Sequence, residues 1–238
     1  MIADWRTYSV EDFIPFTADV YFRLIERTNE AAWPLHVLTL IGGLAAAMLL
    51  VRGGGRTAGA LLALAWLWPG GVFLLQRYSE LNWAGDYFGW AFLGQAVVVF
   101  CCALVGRFKW EGFRRFGLAE WAGFALFVYG LAAYLFWAPV AGGGWAEAEV
   151  FGVHPDPTAV ATIGFVLVAA GRWSGWICWV IPALWCLVSA LTLRELDVVW
   201  APGLTFAAAV GLAGLIWKSF RRRPRSGESA ENPTSPEE

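Results

Sequence analysis

Four side chains able to do chemistry fall within ten consecutive positions: Glu147, Glu149, His154 and Asp156. They lie in, or just after, Ala141–Pro155 (AGGGWAEAEVFGVHP), a stretch without a single basic residue. Carboxylates and an imidazole together can collect a cation, and that donor set suits Zn, Mn or Fe. The same groups can hand on a proton. No fixed ligand spacing is present, and His36 is the one other histidine. That argues against a multi-histidine metal or haem centre, so no metal is assigned and no cofactor is named by the residues.

Each of these groups also has a plainer use. Asp156 followed by Pro157 reads as a helix N-cap with proline at the first helical position. His154 reads as a hydrogen-bonding residue that stiffens a loop, or as a ligand or proton-handling group. Glu147 and Glu149 read as acids that keep an outer loop solvated. Gly142–Gly144 has no strand before it and no Lys-Ser/Thr after it, so it is a hinge and not a phosphate loop. Thr158 and Thr162, one turn apart, share a face of the segment that follows.

A second group of charges precedes the first apolar run. Thr17 can cap a helix that runs to about Ala32. Asp19, Arg23, Glu26, Arg27 and Glu30 fall on one face of it, and Val20, Tyr21, Leu24 and Ile25 on the other. This helix either lies in the headgroups with a solvated charged face or folds back as a lid. As a lid it would bring Glu26, Arg27 and Glu30 to the outer loop, with Arg27 the natural partner of an outer acid such as Asp156. Trp33–Pro34 marks the bend into the next segment.

The elements that must position these groups are membrane helices. The 238 residues are 58% hydrophobic and 15% charged, with 16 Trp and 27 Gly, and the mean hydropathy is +0.55. Soluble domains carry roughly 25% charged residues, so a soluble enzyme, a disordered chain and a nucleic-acid binder are all disfavoured. Seven segments approach the roughly 17–25 apolar residues that cross a bilayer: Leu35–Val51, Thr57–Gln76, Asp86–Val105, Ala119–Ala138, Pro157–Gly171, Gly175–Thr192 and Ala201–Lys218. The fifth is short, reaching only about 22 Å as a helix, and is either a short span or half of a re-entrant hairpin. Alternating strand patterns are absent, which disfavours a β-barrel.

Basic residues set the orientation. With the N-terminus outside, the inner side holds twelve of the 17 Lys and Arg, including Arg107, Lys109, Arg114, Arg115 and the run from Lys218 to Arg225. The predicted topology is seven spans, N-out and C-in. Residues 1–33 form an N-terminal amphipathic segment, 34–218 the helical bundle and 219–238 a disordered cytoplasmic tail. The basic start of that tail is a juxtamembrane anchor for anionic lipid. Gln95, alone in mid-span, reads as an interhelical hydrogen bond. Gly203, Ala207 and Gly211 make a small-residue stripe that lets another helix approach. The four cysteines, all within spans, read as small apolar packing.

Three stretches, PFTADVYFRLIERTNEAAWPLHVL (Pro15–Leu38), ALAWLWPGGVF (Ala63–Phe73) and FGVHPDPTAVATIGF (Phe151–Phe165), resemble an uncharacterised family of bacterial multi-pass membrane proteins, a domain of unknown function. The resemblance covers about Phe13 to Trp217. It implies a helical bundle in the bacterial cytoplasmic membrane and brings no activity and no catalytic residue. The expectation is therefore an all-α polytopic bundle embedded in lipid, a permease or channel-like component for a small solute or ion. The competing classes are a membrane-embedded enzyme or enzyme subunit working through the loop around His154, and a structural or assembly protein. The candidate ligand-binding residues are Glu26, Arg27, Glu30, His154, Asp156 and Thr158.

Overall fold

Long apolar runs, interrupted by turns that carry Gly and Pro, fold into eight helices in a computed structural model that describes residues 14–220. They are α1 (Ala18–Ala32), α2 (Leu35–Val51), α3 (Gly55–Glu80), α4 (Gly85–Leu104), α5 (Leu118–Val140), α6 (Pro155–Ala169), α7 (Arg172–Glu195) and α8 (Ala201–Phe220). No strand forms among the described residues. The fold is all-α, as the periodicity requires. Two helices contain π-helical stretches, Pro69–Arg77 in α3 and Tyr129–Ala133 in α5. Such bulges widen a helix by one residue per turn and often mark functional places.

Length and composition give five helices able to cross a membrane: α3, α4, α5, α7 and α8. The pair α1 and α2 counts as a sixth only if taken as one span, and it is bent by 83°. The fifth expected span, α6, is a different kind of element. Every one of its 15 residues is buried inside the bundle, against α5, α7 and α8. A helix enclosed by protein need not match the hydrocarbon thickness, which explains why this segment is both apolar and short. The surface of the bundle is the reverse. Leu38, Ile41 and Leu44 on α2, Trp90, Val97 and Leu104 on α4, and Phe206 and Ile216 on α8 all face outward. Apolar exposure on that scale fits lipid and not water.

Glycines seat α6. A Cβ on Gly130 would strike the backbone of Pro157 and Ala161, and one on Gly164 would strike the backbone of Phe127. Helices α5 and α6 therefore cross with main chain on main chain. From the other side, α8 offers the predicted small-residue stripe. Ala207 is fully buried, and a Cβ on Gly211 would meet Ile163 of α6 and Trp179 of α7. Gln95 donates to the Cys178 carbonyl at 2.7 Å, the expected bond between helices. All four cysteines are free, and Cys101 is exposed.

At the C-terminal end of α6, which the predicted topology puts on the inner side, the last carbonyls find donors from elsewhere. The Lys109 N–H reaches the Ala169 carbonyl at 2.9 Å. The Lys218 ammonium donates to Leu167 at 2.8 Å and to Ala170 at 3.2 Å. It also pairs with Glu120 at 3.6 Å. Lys218 is thus used inside the bundle. The expected basic anchor, Arg221–Arg225, lies outside the described residues.

Candidate functional site

The N-terminal end of α6, the outer end in the predicted topology, starts earlier than its sequence suggested. His154 is extended and stands at the N-cap position, Pro155 is the first helical residue, and Asp156 is the second. Proline fits either site by its fixed φ. Asp156 is consequently not a cap. Its carboxylate points away from its own helix start and is 1% exposed. Oδ1 accepts from the Trp185 indole N–H at 2.7 Å. Oδ2 accepts from the Ser189 hydroxyl at 2.8 Å and the Tyr134 hydroxyl at 3.1 Å. Trp185 and Ser189 stand one turn apart on α7 and so share a face. Tyr134 follows directly on the π-helical stretch of α5. Three neutral donors and no basic side chain hold this acid.

A tight turn places two more groups beside it. The His154 N–H donates to the Val150 carbonyl at 2.9 Å, and the Val150 N–H donates to His154 Nδ1 at 3.1 Å. Gly152 takes a positive φ of 75° at the tip, where a Cβ would press on Thr39 of α2 at 2.8 Å. Glycine is required there on both counts. Thr158 closes the turn from inside the helix: its hydroxyl donates to the His154 carbonyl at 2.7 Å and accepts from Gly152 N–H at 2.8 Å. Thr162 repeats the pattern, donating to Thr158 at 2.8 Å and accepting from the Trp66 indole at 2.9 Å.

Because Nδ1 of His154 accepts, its imidazole proton sits on Nε2, which is buried and meets no acceptor. The ring stands edge-on to Phe73, in the π-helical part of α3, with centroids 5.4 Å apart. Burial first, then His36, pushes His154 down to about 3, so it stays neutral. Glu149 is 4% exposed, and neither of its carboxyl oxygens has a hydrogen-bond partner. Burial, then the Asp156 carboxylate, holds Glu149 well above the usual carboxylate range. The reading of Glu149 as a solvated loop acid is therefore corrected: it is a buried acid whose carboxyl oxygens have no hydrogen-bond partner.

The first helix folds back over this end of the bundle, but with its apolar face down. Tyr21, Ile25, Thr28 and Ala32 are buried, whereas Arg27 and Glu30 are exposed and Glu26 is half-buried. The structure thus brings His154, Asp156 and Thr158 together and leaves Glu26, Arg27 and Glu30 on the outer face. Arg27 does not meet Asp156. What ties α1 to the outer loop is Asn29, whose Nδ2 donates to the carbonyls of Ala146 at 2.7 Å and Ala148 at 2.9 Å. His36 Nε2 lies 2.7 Å from Asn29 Oδ1 and completes the clamp. Arg77 adds a tie from α3, donating to the Arg27 carbonyl at 3.1 Å. Two surface hollows of about 200 and 380 Å³ lie at the rim, near Phe22, Glu147 and Asp197 and near Thr17 and Glu195; Glu149, His154 and Asp156 line neither. Among the described residues, no three His, Cys, Asp or Glu are grouped to hold a metal ion.

Comparison with family models gives a match over residues 18–226. The chain belongs to DUF6064, a family of unknown function. Comparison of this DUF6064 chain with curated proteins and with solved structures gives no match. The match spans α1 to α8, so every side chain of the site falls inside the family's extent. The family brings no chemistry, and the roles rest on the geometry alone.

Sequence reasoning missed Tyr134, Trp185, Ser189 and Asn29. No spacing links residues so far apart along the chain. The one available signal was the pairing of Trp185 with Ser189 on a single helical face. For Glu149 a signal did exist: Val150, Phe151 and Val153 follow it, an apolar setting unlike that of a solvated loop.

Proposed function

We propose that this chain is a permease or channel-like component for a small solute or ion, with its site at the outer end of α6. The observation that carries the reading is the pair of buried acids, Glu149 and Asp156, with no basic side chain among the described groups bonded to them. Ionisable groups at such depth are costly and mark ion or substrate pathways. His154 and Thr158 shape the site, and Glu26, Arg27 and Glu30 form its solvated rim. The hollows stop short of the acids, which corresponds to an occluded site under a loop clamped by Asn29. We place the protein in the bacterial cytoplasmic membrane, N-terminus outside, with anionic lipid at the basic segment after Phe220.

A second reading, a structural or assembly protein, is favoured by the complete enclosure of α6. The enzyme reading has less support, since His154 gives Nδ1 to Val150 and its Nε2 meets no carboxylate. Reconstitution in liposomes separates these readings. Flux of protons, Na⁺, Cl⁻ or glycerol above that of protein-free vesicles, reduced at least tenfold in Asp156→Asn, supports transport. A folded, reconstituted chain that moves none of these probes favours the scaffold.

A further inference from the structure

We propose that the site holds one exchangeable proton, carried on a carboxyl oxygen of Glu149, with Asp156 as the fixed anion beside it. The inference rests on the permease reading and names its ion. It starts from the different company the two acids keep. Asp156 receives an indole N–H, which can only donate, and two hydroxyls, one on α5 and one on α7. Burial works against the charge on Asp156, and these three converging donors work for it. They also turn the positive ends of their dipoles toward the space a metal ion would occupy, which makes Asp156 a poor ligand for one.

Glu149 has the opposite surroundings. It is buried and receives no donor at all. A charged carboxylate without hydrogen bond or counter-ion is the costliest state of such a group, and adding a proton removes most of that cost. The charged group that acts on it is Asp156 on α6, and Tyr21 on α1 and Tyr129 and Tyr134 on α5 lie close enough to feel its charge. None of these is a lysine or arginine. His154 is not the carrier, because its Nδ1 is occupied by Val150 and burial keeps the ring neutral. Binding and release exchange the proton with water, and no other bond changes.

Asn29 controls the exchange. It grips the carbonyls of Ala146 and Ala148, directly before Glu149. The segment carrying the acid must leave this clamp before water reaches it.

Infrared spectroscopy of the full chain in lipid nanodiscs tests this directly. The carbonyl band of a protonated carboxylic acid is expected at pH 7. It is expected to shift when glutamate is ¹³C-labelled, to vanish in Glu149→Gln, and to persist in Asp156→Asn with a midpoint about one pH unit lower or more. Asn29→Ala is expected to speed its shift in D₂O at least tenfold. The labelling arm uses the unmutated chain and needs no variant to fold. Absence of the band at pH 7, its indifference to the glutamate label, or its loss on adding Na⁺ or Ca²⁺ at fixed pH overturns the proposal. Flux of another probe without the band leaves the permease reading standing and removes the proton. The band without flux of any probe keeps the proton site and removes the permease.

Discussion

The two ends of α6 carry buried charge on different terms. At the inner end, Lys218 meets Glu120 and two carbonyls of the last turn, and both side chains keep some exposure, 21% and 16%. Charge there is balanced, and its work is to finish a helix whose carbonyls would otherwise lack donors. At the outer end, two acids are enclosed with hydroxyls, an indole and a neutral imidazole, and no base enters. A bundle that needed only stability has no use for the second arrangement, since apolar groups of the same shape would serve as well or better. The first arrangement finishes a helix, and the second is the one on which the proposed site rests.

The largest effect that would separate the ends is expected at Asp156. In Asp156→Ala the Tyr134, Ser189 and Trp185 donors stay buried with nothing to receive them. A loss of about 3–5 kcal/mol is expected, read from thermal unfolding in detergent. Its combination with Trp185→Phe is expected to cost less than the sum of the two single changes. Lys218→Met removes a partly exposed partner, and Glu120 still accepts from the Gly117 N–H at 2.9 Å. About 1 kcal/mol is expected there. Equal losses at the two positions would erase the distinction.

Next in size is the packing that both ends share. Ala207 is fully buried on α8, whereas Leu212 is 39% exposed on another face. Ala207→Leu forces a larger side chain into the contact and is expected to cost about 1–3 kcal/mol. Leu212→Ala is expected to cost less than half of that in the same assay. If the two match, the stripe is not the surface that holds α8 against α6 and α7.

How much of this was legible follows from what each feature depends on. Helices depend on local hydrophobicity, and all seven apolar segments read from the sequence are helices, as is the amphipathic run before them. Enclosure depends on neighbours. The composition of Pro155–Ala169 does not say whether lipid or protein surrounds it, although its 15 residues hinted that it need not reach both faces. The start of α6 was misread because Pro155 and Pro157 both fit a first turn, and packing against α5 and α7 decided between them. The donors to Asp156 come from two other helices, and the spacing of residues 134, 156 and 185 carries no period. His154 was read as a loop-stiffening hydrogen-bonding residue or as a ligand or proton-handling group; its Nδ1 accepts from the Val150 N–H, and its Nε2, which no sequence pattern announces, meets no partner.

A smaller effect is expected from pH, and it isolates the outer end. Glu149 is held above its ordinary 4.5 in the folded chain, so the folded state binds its proton more tightly than the unfolded state. Its contribution is complete below about 4.5 and is lost as pH rises toward the folded value. His154 works the other way. Held at about 3 against an ordinary 6.5, it contributes fully above 6.5 and loses that contribution as pH falls. Between 4.5 and 6.5 the two oppose each other. The His154 contribution is common to the wild type and Glu149→Gln and cancels in their comparison. The difference in melting temperature between them is therefore expected to move in favour of the variant as pH rises above 4.5. A constant difference across that range would mean that Glu149 is ionised in the fold.

The smallest effect is expected at the rim, and it closes the alternative in which α1 charges reach the site. Arg27 and Asp156 would have made a buried pair, for which removing either partner costs about 3–5 kcal/mol. Instead Arg27 is exposed, and the arginine that ties α1 to the bundle is Arg77, through the Arg27 carbonyl. That bond uses backbone and survives truncation of the Arg27 side chain. Arg27→Ala is expected to stay within about 0.5 kcal/mol of wild type. Asp156→Asn is expected to be clearly destabilising, and the double variant additive within about 0.5 kcal/mol. Coupling above about 1 kcal/mol would place the two side chains in contact. It would make the rim part of the site, and α1 a charged lid in place of an apolar cover pinned by Asn29.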